Sequence, residues 1–245
     1  MREPKRSRTD ATTLLPVCVL AGGLGTRLGG LTRTTPKVLA PVAGQPFVFH
    51  QLRLLSDSGA TRVVFCVGYR GEQIEATVGP SRFGLHLEYS YDSPDLDGTL
   101  GAIRRALPLL GEKFLVLYGD TYLPIDYGDV QRKWLASRLP ALMTVLRNDN
   151  KWGPSNASFR RGRVIAHDKS QPTADMAWID YGLGGLSVEV VDASPPSERD
   201  LSALYGDLAR HGRLFGYAAT RRFHEIGSPD ALAETDRYLT ARVEQ

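Results

Sequence analysis

The stretch that decides the fold is Pro16-Val17-Cys18-Val19-Leu20-Ala21-Gly22-Gly23-Leu24-Gly25-Thr26-Arg27-Leu28. Its first half is a continuous apolar run with β-branched residues, which is typical of a strand covered on both faces of a sheet. Its second half is rich in glycine, which lets the backbone approach a ligand closely and point several N–H groups in one direction. The stretch therefore predicts a buried first strand that ends in a turn suited to phosphate.

The charge pattern around this turn supports a polyphosphate ligand. No Asp or Glu occurs from position 11 to position 56, whereas Arg27, Arg33, Lys37 and Arg53 lie in that interval. A carboxylate near the turn would repel a polyphosphate, so an acid-free and basic surrounding favours binding.

Three other readings of the glycine turn compete with this one. A dinucleotide-binding turn would carry a third glycine where Leu28 stands and an acid about 20 residues further on, and neither is present. A P-loop would need Gly-Lys-Ser/Thr close behind the glycines, which is also missing. An ordinary surface loop is the third alternative, and the spacing and charge together disfavour it.

Outward from this stretch, short apolar runs alternate with longer amphipathic ones. Strands are predicted at 62–67, 85–89 and 114–118, and helices at 47–58, 71–78 and 100–110. This rhythm predicts an α/β fold with a doubly wound, mostly parallel, Rossmann-like sheet. Short strand candidates at 141–146, 157–159, 164–167 and 185–188 predict that the sheet is mixed and carries a smaller lid region. A last helix over 229–242 should begin with Ser228 as its N-cap and Pro229 at its first position.

Composition limits the classes of function. The chain has 245 residues, 42% of them hydrophobic and 23% charged, with a formal net charge of +3. We expect residues 1–12 to be a disordered basic tail and residues 13–245 to be a single domain with halves at 13–125 and 126–245. The positive excess lies largely in this tail, a nucleic-acid-binding face would need more clustering, and no apolar run reaches membrane-spanning length.

The two cysteines, Cys18 and Cys66, lie inside predicted strands, as expected for buried thiols in a reducing compartment. These features predict a cytoplasmic protein that binds neither nucleic acid nor membrane, and they leave a homo-oligomer open.

Leu20 to Leu28, followed by Pro36-Lys37-Val38-Leu39-Ala40-Pro41-Val42-Ala43-Gly44, resembles the signature of the sugar-phosphate nucleotidyltransferases. The likeness extends over nearly the whole chain after the tail. It implies an enzyme that uses Mg²⁺ to transfer a nucleoside monophosphate from an NTP to a sugar 1-phosphate, with release of pyrophosphate. By the same resemblance, Arg27 holds the β- and γ-phosphates and Lys37 lies at the α-phosphate. The turn residues implied to contact the nucleotide are Leu20, Ala21, Gly22, Gly23, Gly25 and Thr26.

A pair of carboxylates is expected to hold the metal. Asp120 follows the predicted strand at 114–118, which places it at the edge where α/β sheets bind ligands. The alternative for Asp120 is a turn or helix-cap acid. Phe223-His224-Glu225-Ile226-Gly227-Ser228-Pro229 resembles the family's second metal-binding turn, with Glu225 where the family generally has aspartate.

The resemblance also divides the chain into a nucleotide-binding half, 13–125, and a sugar-binding half, 126–245. It places Gln73, Asp92, Gly98 and Thr99 near the nucleoside, and Asn156, Asp168, Lys169 and Asp180 near the sugar phosphate. The absence of a C-terminal hexapeptide repeat favours the compact branch that includes the heptose 1-phosphate guanylyltransferases, with GTP as the nucleotide. Uridylyl, cytidylyl or thymidylyl transfer, a non-catalytic nucleotide-sugar sensor and a nicotinamide oxidoreductase are the alternatives.

Overall fold

The computed structural model describes residues 13–23, 34–93 and 98–243. Within these ranges, ten strands form one mixed sheet in the order β10-β11-β13-β9-β12-β7-β1-β4-β6-β5. Its strands are β1 (Val17–Leu20), β4 (Arg62–Val67), β5 (Ser81–Arg82), β6 (Leu85–Tyr91), β7 (Lys113–Tyr118), β9 (Ala141–Arg147), β10 (Ala157–Arg160), β11 (Arg163–His167), β12 (Trp178–Ser187) and β13 (Leu214–Ala219). Two small antiparallel pairs accompany it, β2 (Pro41–Val42) with β3 (Gln45–Pro46) and β8 (Thr121–Tyr122) with β14 (His224–Glu225).

The centre of the sheet is parallel, as predicted for the first half of the chain. β1 lies between β4 and β7 and runs parallel to both, and β6 runs parallel to β4. β1, β4 and β7 are largely apolar because helices cover both faces of the sheet, whereas β6 also carries polar residues such as His86 and Glu88. Since β1, β4, β6 and β7 all end on the same side, their last residues share one border of the sheet, which we call the carboxyl edge.

The second half of the chain extends the same sheet and adds most of its antiparallel pairs. β12 runs antiparallel to both β7 and β9, and β13 runs parallel to β9. A mostly parallel sheet therefore describes the first half, and the strands predicted for a lid region are members of the main sheet. Residues 185–188 do not form one strand, since β12 ends at Ser187 and a helix begins at Val188.

Seven helices lie within the described ranges: α1 (Phe47–Asp57), α2 (Gly71–Val78), α3 (Gly98–Ala106), α4 (Tyr127–Ser137), α5 (Val188–Asp192), α6 (Leu201–Arg210) and α7 (Pro229–Val243). Short 3₁₀ turns cover Lys37–Leu39 and Leu107–Leu109. α4, α6 and β13 were not predicted from the sequence. α7 begins as predicted, because Ser228 Oγ accepts a hydrogen bond from the backbone N–H of Ala231 at 3.2 Å.

The core lies on both faces of the sheet. Its largest fully buried side chains include Trp134, Tyr127, Phe65 and Phe114. Cys18 and Cys66 are buried as predicted, with their sulfur atoms 3.4 Å apart on neighbouring strands. None of the helices in the described residues combines the length and apolarity that crossing a membrane requires.

Candidate active site

Two chemically important residues meet at the carboxyl edge although they are far apart in sequence. Lys37 Nζ lies 2.5 Å from Asp120 Oδ2, across 83 residues of chain. Lys37 occupies the 3₁₀ turn that follows the glycine turn, and Asp120 comes directly after β7 and Gly119. The two side chains are 12% and 29% exposed, so the pair is partly shielded yet accessible from solvent.

Asp120 is held in place by hydrogen bonds from three elements. The buried side chain of Gln51 in α1 donates to the carbonyls of Tyr118 and Thr121, at 2.9 and 2.7 Å. Thr121 Oγ1 donates to Asp120 Oδ1 at 3.1 Å, and the N–H of Ile226 donates to the Asp120 carbonyl at 3.0 Å. Gln51 was not recognised as a site residue from the sequence. The signal that could have found it is a polar residue within the apolar stripe of α1, a position that Gln51 shares with His50.

Glu225 lies next to Asp120 through strand pairing. In the pair formed by β8 and β14, Glu225 stands opposite Thr121, the residue after Asp120. Two carboxylates at one edge match the oxygen ligands that Mg²⁺ prefers, with water and phosphate oxygens filling the rest of its coordination shell. Among the residues that the structure describes, no group of three or more His, Cys, Asp or Glu side chains is arranged to hold a metal. The donor set thus fits a metal shared with phosphate better than a closed protein cage.

The described part of the glycine turn is packed tightly against neighbouring backbone. Ala21 N–H donates to the Cys66 carbonyl at 2.8 Å, and Gly119 N–H donates to the Leu20 carbonyl at 2.9 Å. A Cβ atom at Gly22 would lie 2.8 Å from Asp92 Oδ2 and 3.3 Å from the backbone nitrogen of Gly68, so a larger residue there would displace the Asp92 side chain. Asp92 therefore contacts the turn, on the side where the nucleoside was expected.

Several expected nucleotide contacts lie outside the described residues or serve other contacts. Gly25, Thr26 and Arg27 fall in 24–33, outside the described ranges, and Gly23 is the last residue described before them. Gln73 contacts the segment between the glycine turn and Lys37. Its amide donates to the Thr34 carbonyl at 3.1 Å, in the orientation that also lets it accept a hydrogen bond from Arg70.

Gly98 and Thr99 contact the second half of the chain. The backbone of Gly98 has a φ of +70°, and a Cβ there would approach the Arg199 carbonyl to 2.6 Å. Thr99 Oγ1 accepts a hydrogen bond from the Leu201 N–H at 2.9 Å. These two residues therefore join the start of α3 to the start of α6.

Three of the four expected sugar-phosphate residues are connected. Lys169 Nζ lies 2.8 Å from Asp180 Oδ2, and it donates to the Tyr118 hydroxyl at 3.1 Å. Asn156 Oδ1 accepts a hydrogen bond from the Asp180 N–H at 2.9 Å. We call Tyr118, Lys169 and Asp180 the lysine cluster. Tyr118 was not predicted as a site residue, because the apolar run of β7 makes it look like a core residue.

Asp168 makes different contacts. Its Oδ1 accepts hydrogen bonds from the N–H and hydroxyl of Ser170 and from the N–H of Gln171, at 2.7 to 2.9 Å. These bonds, led by that from Gln171, hold the pKa of Asp168 below its ordinary value. One oxygen of this carboxylate thus stabilises a local turn beside Lys169.

Comparison with known proteins assigns the chain to a family. Residues 17–182 match the MobA-like NTP transferase domain, a range that contains Lys37, Asp120 and the lysine cluster. The chain belongs to this family.

Several proteins similar to this chain are named nucleotidyltransferases. The chain is 41% identical over 111 residues to the N-acetylmuramate alpha-1-phosphate uridylyltransferase of Neisseria meningitidis, a match covering 44% of this chain and 48% of the relative. It is 34% identical over 227 residues to the D-glycero-alpha-D-manno-heptose 1-phosphate guanylyltransferase of Aneurinibacillus thermoaerophilus, covering 90% of this chain and 96% of the relative. The chain thus spans about half the length of the first relative and nearly all of the second.

A solved structure shares the fold. HddC from Yersinia pseudotuberculosis, crystallised in complex with GMP-PN, superposes with a TM-score of 0.75 at 23% identity. The superposition covers 92% of this chain and 100% of that protein. The likeness confirms the α/β nucleotidyltransferase fold with its mixed sheet.

The charges of the lysine cluster are set by contacts among its members. Burial lowers the pKa of Lys169, but the carboxylate of Asp180 and the Tyr118 hydroxyl raise it by more, so its pKa lies above the ordinary value. Burial raises the pKa of Asp180, but Lys169 and His167 lower it below its ordinary value. Burial and the Asp180 carboxylate raise the pKa of Tyr118. At neutral pH the cluster therefore contains an ammonium, a carboxylate and a neutral hydroxyl.

A buried histidine supports the same region. The Asn156 carbonyl can only accept, so His167 Nδ1 donates to it at 3.0 Å, and His167 Nε2 accepts from Ser202 Oγ at 3.0 Å. Burial lowers the pKa of His167, in agreement with a neutral ring. His167 and Ser202 thus join β11 to α6.

Helix α7 contacts two segments of the site, the one that follows Lys37 and the one that carries Glu225. Asp236 Oδ1 accepts a hydrogen bond from the N–H of Ala43, in the turn between β2 and β3, at 2.7 Å. Thr235 Oγ1 donates to the Glu225 carbonyl at 2.7 Å. Adjacent residues of one helix therefore fix the segment after Lys37 and the strand that carries Glu225.

Proposed function

We propose that this chain is a sugar-1-phosphate nucleotidyltransferase, which transfers a nucleoside monophosphate from an NTP to a sugar 1-phosphate and releases pyrophosphate. The observation that carries the proposal is the contact between Lys37 and Asp120 at the carboxyl edge, beside the glycine turn. The family assignment and the names of the relatives support the same reaction class.

The chemistry needs charge neutralisation and alignment. An oxygen of the sugar phosphate attacks the α-phosphorus, and a new P–O bond forms as the bond to the bridging oxygen breaks. Pyrophosphate leaves with the electron pair of the broken bond. Because the attacking oxygen is already anionic, neither a general base nor a covalent enzyme intermediate is required. Negative charge on the phosphate oxygens makes a fixed cation such as Lys37 most effective at this position.

Mg²⁺ belongs to the proposal as the metal that Asp120 and Glu225 would hold. When bound, the metal supplies positive charge to the phosphate oxygens and orients them. The chain's own part is to keep Asp120 in place through Gln51 and Thr121. Lys37 lies in contact with the same carboxylate, so its ammonium is already near the oxygens that a metal at Asp120 would share.

GTP and a heptose 1-phosphate are the substrates we favour. One relative that this chain covers over nearly its full length is named a heptose 1-phosphate guanylyltransferase. Asp92, which contacts the glycine turn, offers a carboxylate that can accept hydrogen bonds from the N1–H and amino group of guanine. Lys169, near the opposite side of the edge, offers the cation for the sugar phosphate.

The test is a substrate matrix. The purified chain is incubated with Mg²⁺, each of the four common NTPs and a panel of sugar 1-phosphates, and pyrophosphate is measured. Release with GTP and heptose 1-phosphate is the expected result. Release with another pair would reassign the substrates, and no release with any pair would favour a non-catalytic nucleotide-sugar sensor.

Two variants locate the activity. Lys37→Met removes the ammonium at the edge and should abolish pyrophosphate release. Lys133→Met is the matched control, because it breaks an exposed lysine–aspartate contact of 2.8 Å with Asp129 on α4. Equal activity in the two variants would contradict the placement of the site.

A further inference from the structure

Tyr118 connects the two sides of the site. It is the last residue of β7, two positions before Asp120, and its hydroxyl accepts a hydrogen bond from Lys169 Nζ at 3.1 Å. The same hydroxyl donates to Asp180 Oδ2 at 3.4 Å. Lys169 Nζ also lies 4.7 Å from the centre of the tyrosine ring. One side chain thus contacts both charged members of the lysine cluster.

The position of Tyr118 is fixed by its neighbours. Its carbonyl accepts the hydrogen bond from Gln51 at 2.9 Å, so the backbone is tied to α1. The ring packs beside the irregular part of β12, where a Cβ atom at Gly182 would lie 3.5 Å from Tyr118 Cδ2. The hydroxyl is therefore a rigid group, whereas the Lys169 side chain is 39% exposed and has a flexible four-carbon stem.

A neutral hydroxyl can position an ammonium without cancelling its charge. The Asp180 side chain is only 5% exposed, and its carboxylate attracts Lys169 strongly. Asp180 therefore competes with any incoming phosphate for the Lys169 ammonium. The Tyr118 hydroxyl, which belongs to the last residue of β7, holds the ammonium through a neutral hydrogen bond, and it adds no negative charge that would repel the substrate.

We propose that Tyr118 is a positioning residue whose hydroxyl holds the Lys169 ammonium toward the phosphate of the sugar 1-phosphate. This inference rests on the proposed function and deepens it. Tyr118 contacts the lysine rather than a reacting atom, so its removal should affect the affinity for the sugar phosphate before it affects the nucleotide.

The test separates the hydroxyl from the ring. Tyr118→Phe keeps the ring beneath Lys169 and removes only the oxygen. At saturating NTP, the KM for the sugar 1-phosphate should rise about tenfold, equivalent to about 1.4 kcal/mol and on the scale of one hydrogen bond to a charged group. The KM for the NTP should stay the same, and kcat should change by less than about twofold. A role confined to stability would lower the melting temperature without separating the two KM values.

A second lysine–tyrosine–aspartate group provides the control. Tyr217 donates to Asp129 Oδ2 at 2.8 Å, and Lys133 Nζ lies 5.2 Å from the centre of its ring. Tyr217→Phe therefore removes a comparable hydroxyl from a comparable pair and should change neither KM. If Tyr118→Phe behaves like Tyr217→Phe while the wild-type chain is active, the positioning role is overturned and the proposed function stands.

Binding of inorganic phosphate gives a reading that does not require activity. Calorimetric titration of the wild-type chain, Lys169→Met and Tyr118→Phe should show phosphate binding that is lost in the first variant and weakened about tenfold in the second. Unchanged binding in either variant overturns the inference, whatever the pyrophosphate assay shows. Phosphate binding with the expected pattern in a chain that releases no pyrophosphate would instead refute the proposed function alone.

Discussion

Replacing Gln51 by leucine tests how the fold holds the metal-binding edge. Gln51 is 3% exposed, and its amide donates to the carbonyls of Tyr118 and Thr121 on either side of Asp120. Leucine has a similar volume and no donor, so Gln51→Leu leaves these two carbonyls without this partner and creates little cavity.

The cost follows from the two lost hydrogen bonds. Each lost bond to a buried carbonyl costs about 1–2 kcal/mol, so Gln51→Leu should lower the free energy of unfolding by about 3 kcal/mol. For a chain of this length, 1 kcal/mol corresponds to about 3 °C, so the melting temperature should fall by about 9 °C in differential scanning calorimetry. Since Asp120 is then held less firmly, the Mg²⁺ concentration that gives half-maximal pyrophosphate release should rise several-fold as well.

A second buried glutamine separates stability from function. Gln131 is 2% exposed, accepts from the Leu15 N–H at 2.7 Å and donates to the Thr13 carbonyl at 3.1 Å, before the first residue of β1. Gln131→Leu should lower the melting temperature by a similar amount and leave the Mg²⁺ requirement unchanged. The reasoning is refuted if Gln51→Leu melts like the wild-type chain, or if both variants shift the Mg²⁺ requirement equally.

Three further outcomes are expected. Gly22→Ala places a Cβ 2.8 Å from Asp92 Oδ2 and should raise the KM for the NTP more than about tenfold, whereas Gly111→Ala, whose Cβ meets nothing closer than 3.9 Å, should not. Ser228→Ala removes the cap of α7 and should lower the free energy of unfolding by about 1 kcal/mol in urea; an unchanged midpoint would contradict the cap. Burial lowers the pKa of His224 to about 4, so the unfolded chain binds this proton more readily. The stability contributed by neutral His224 should therefore be lost as pH falls from about 6.5 towards 4, and urea unfolding at pH 7 and pH 5 should show a smaller difference in His224→Gln than in the wild type.

Local sequence patterns predicted the elements that depend only on residues close in sequence. The apolar run at Val17–Leu20, the strand at Arg62–Val67 and the cap at Ser228 were all predicted from short stretches, because strand burial and helix capping depend on neighbouring residues. β12 was only partly predicted. It pairs with β7 and β9, which are distant in sequence, and its glycines, such as Gly185 against the Trp134 ring, interrupt the strand pattern.

The sequence by itself determined the buried first strand, because strand burial depends on local spacing, and it predicted Lys37 and Asp120 as site residues with the help of the family resemblance. Only the tertiary structure decided that Lys37 meets Asp120, that Gln51 holds the carbonyls on either side of it, and that Tyr118 joins Lys169 to Asp180. These contacts join residues on different elements of the fold, and such distances arise from how strands pair and helices pack, which no local pattern encodes.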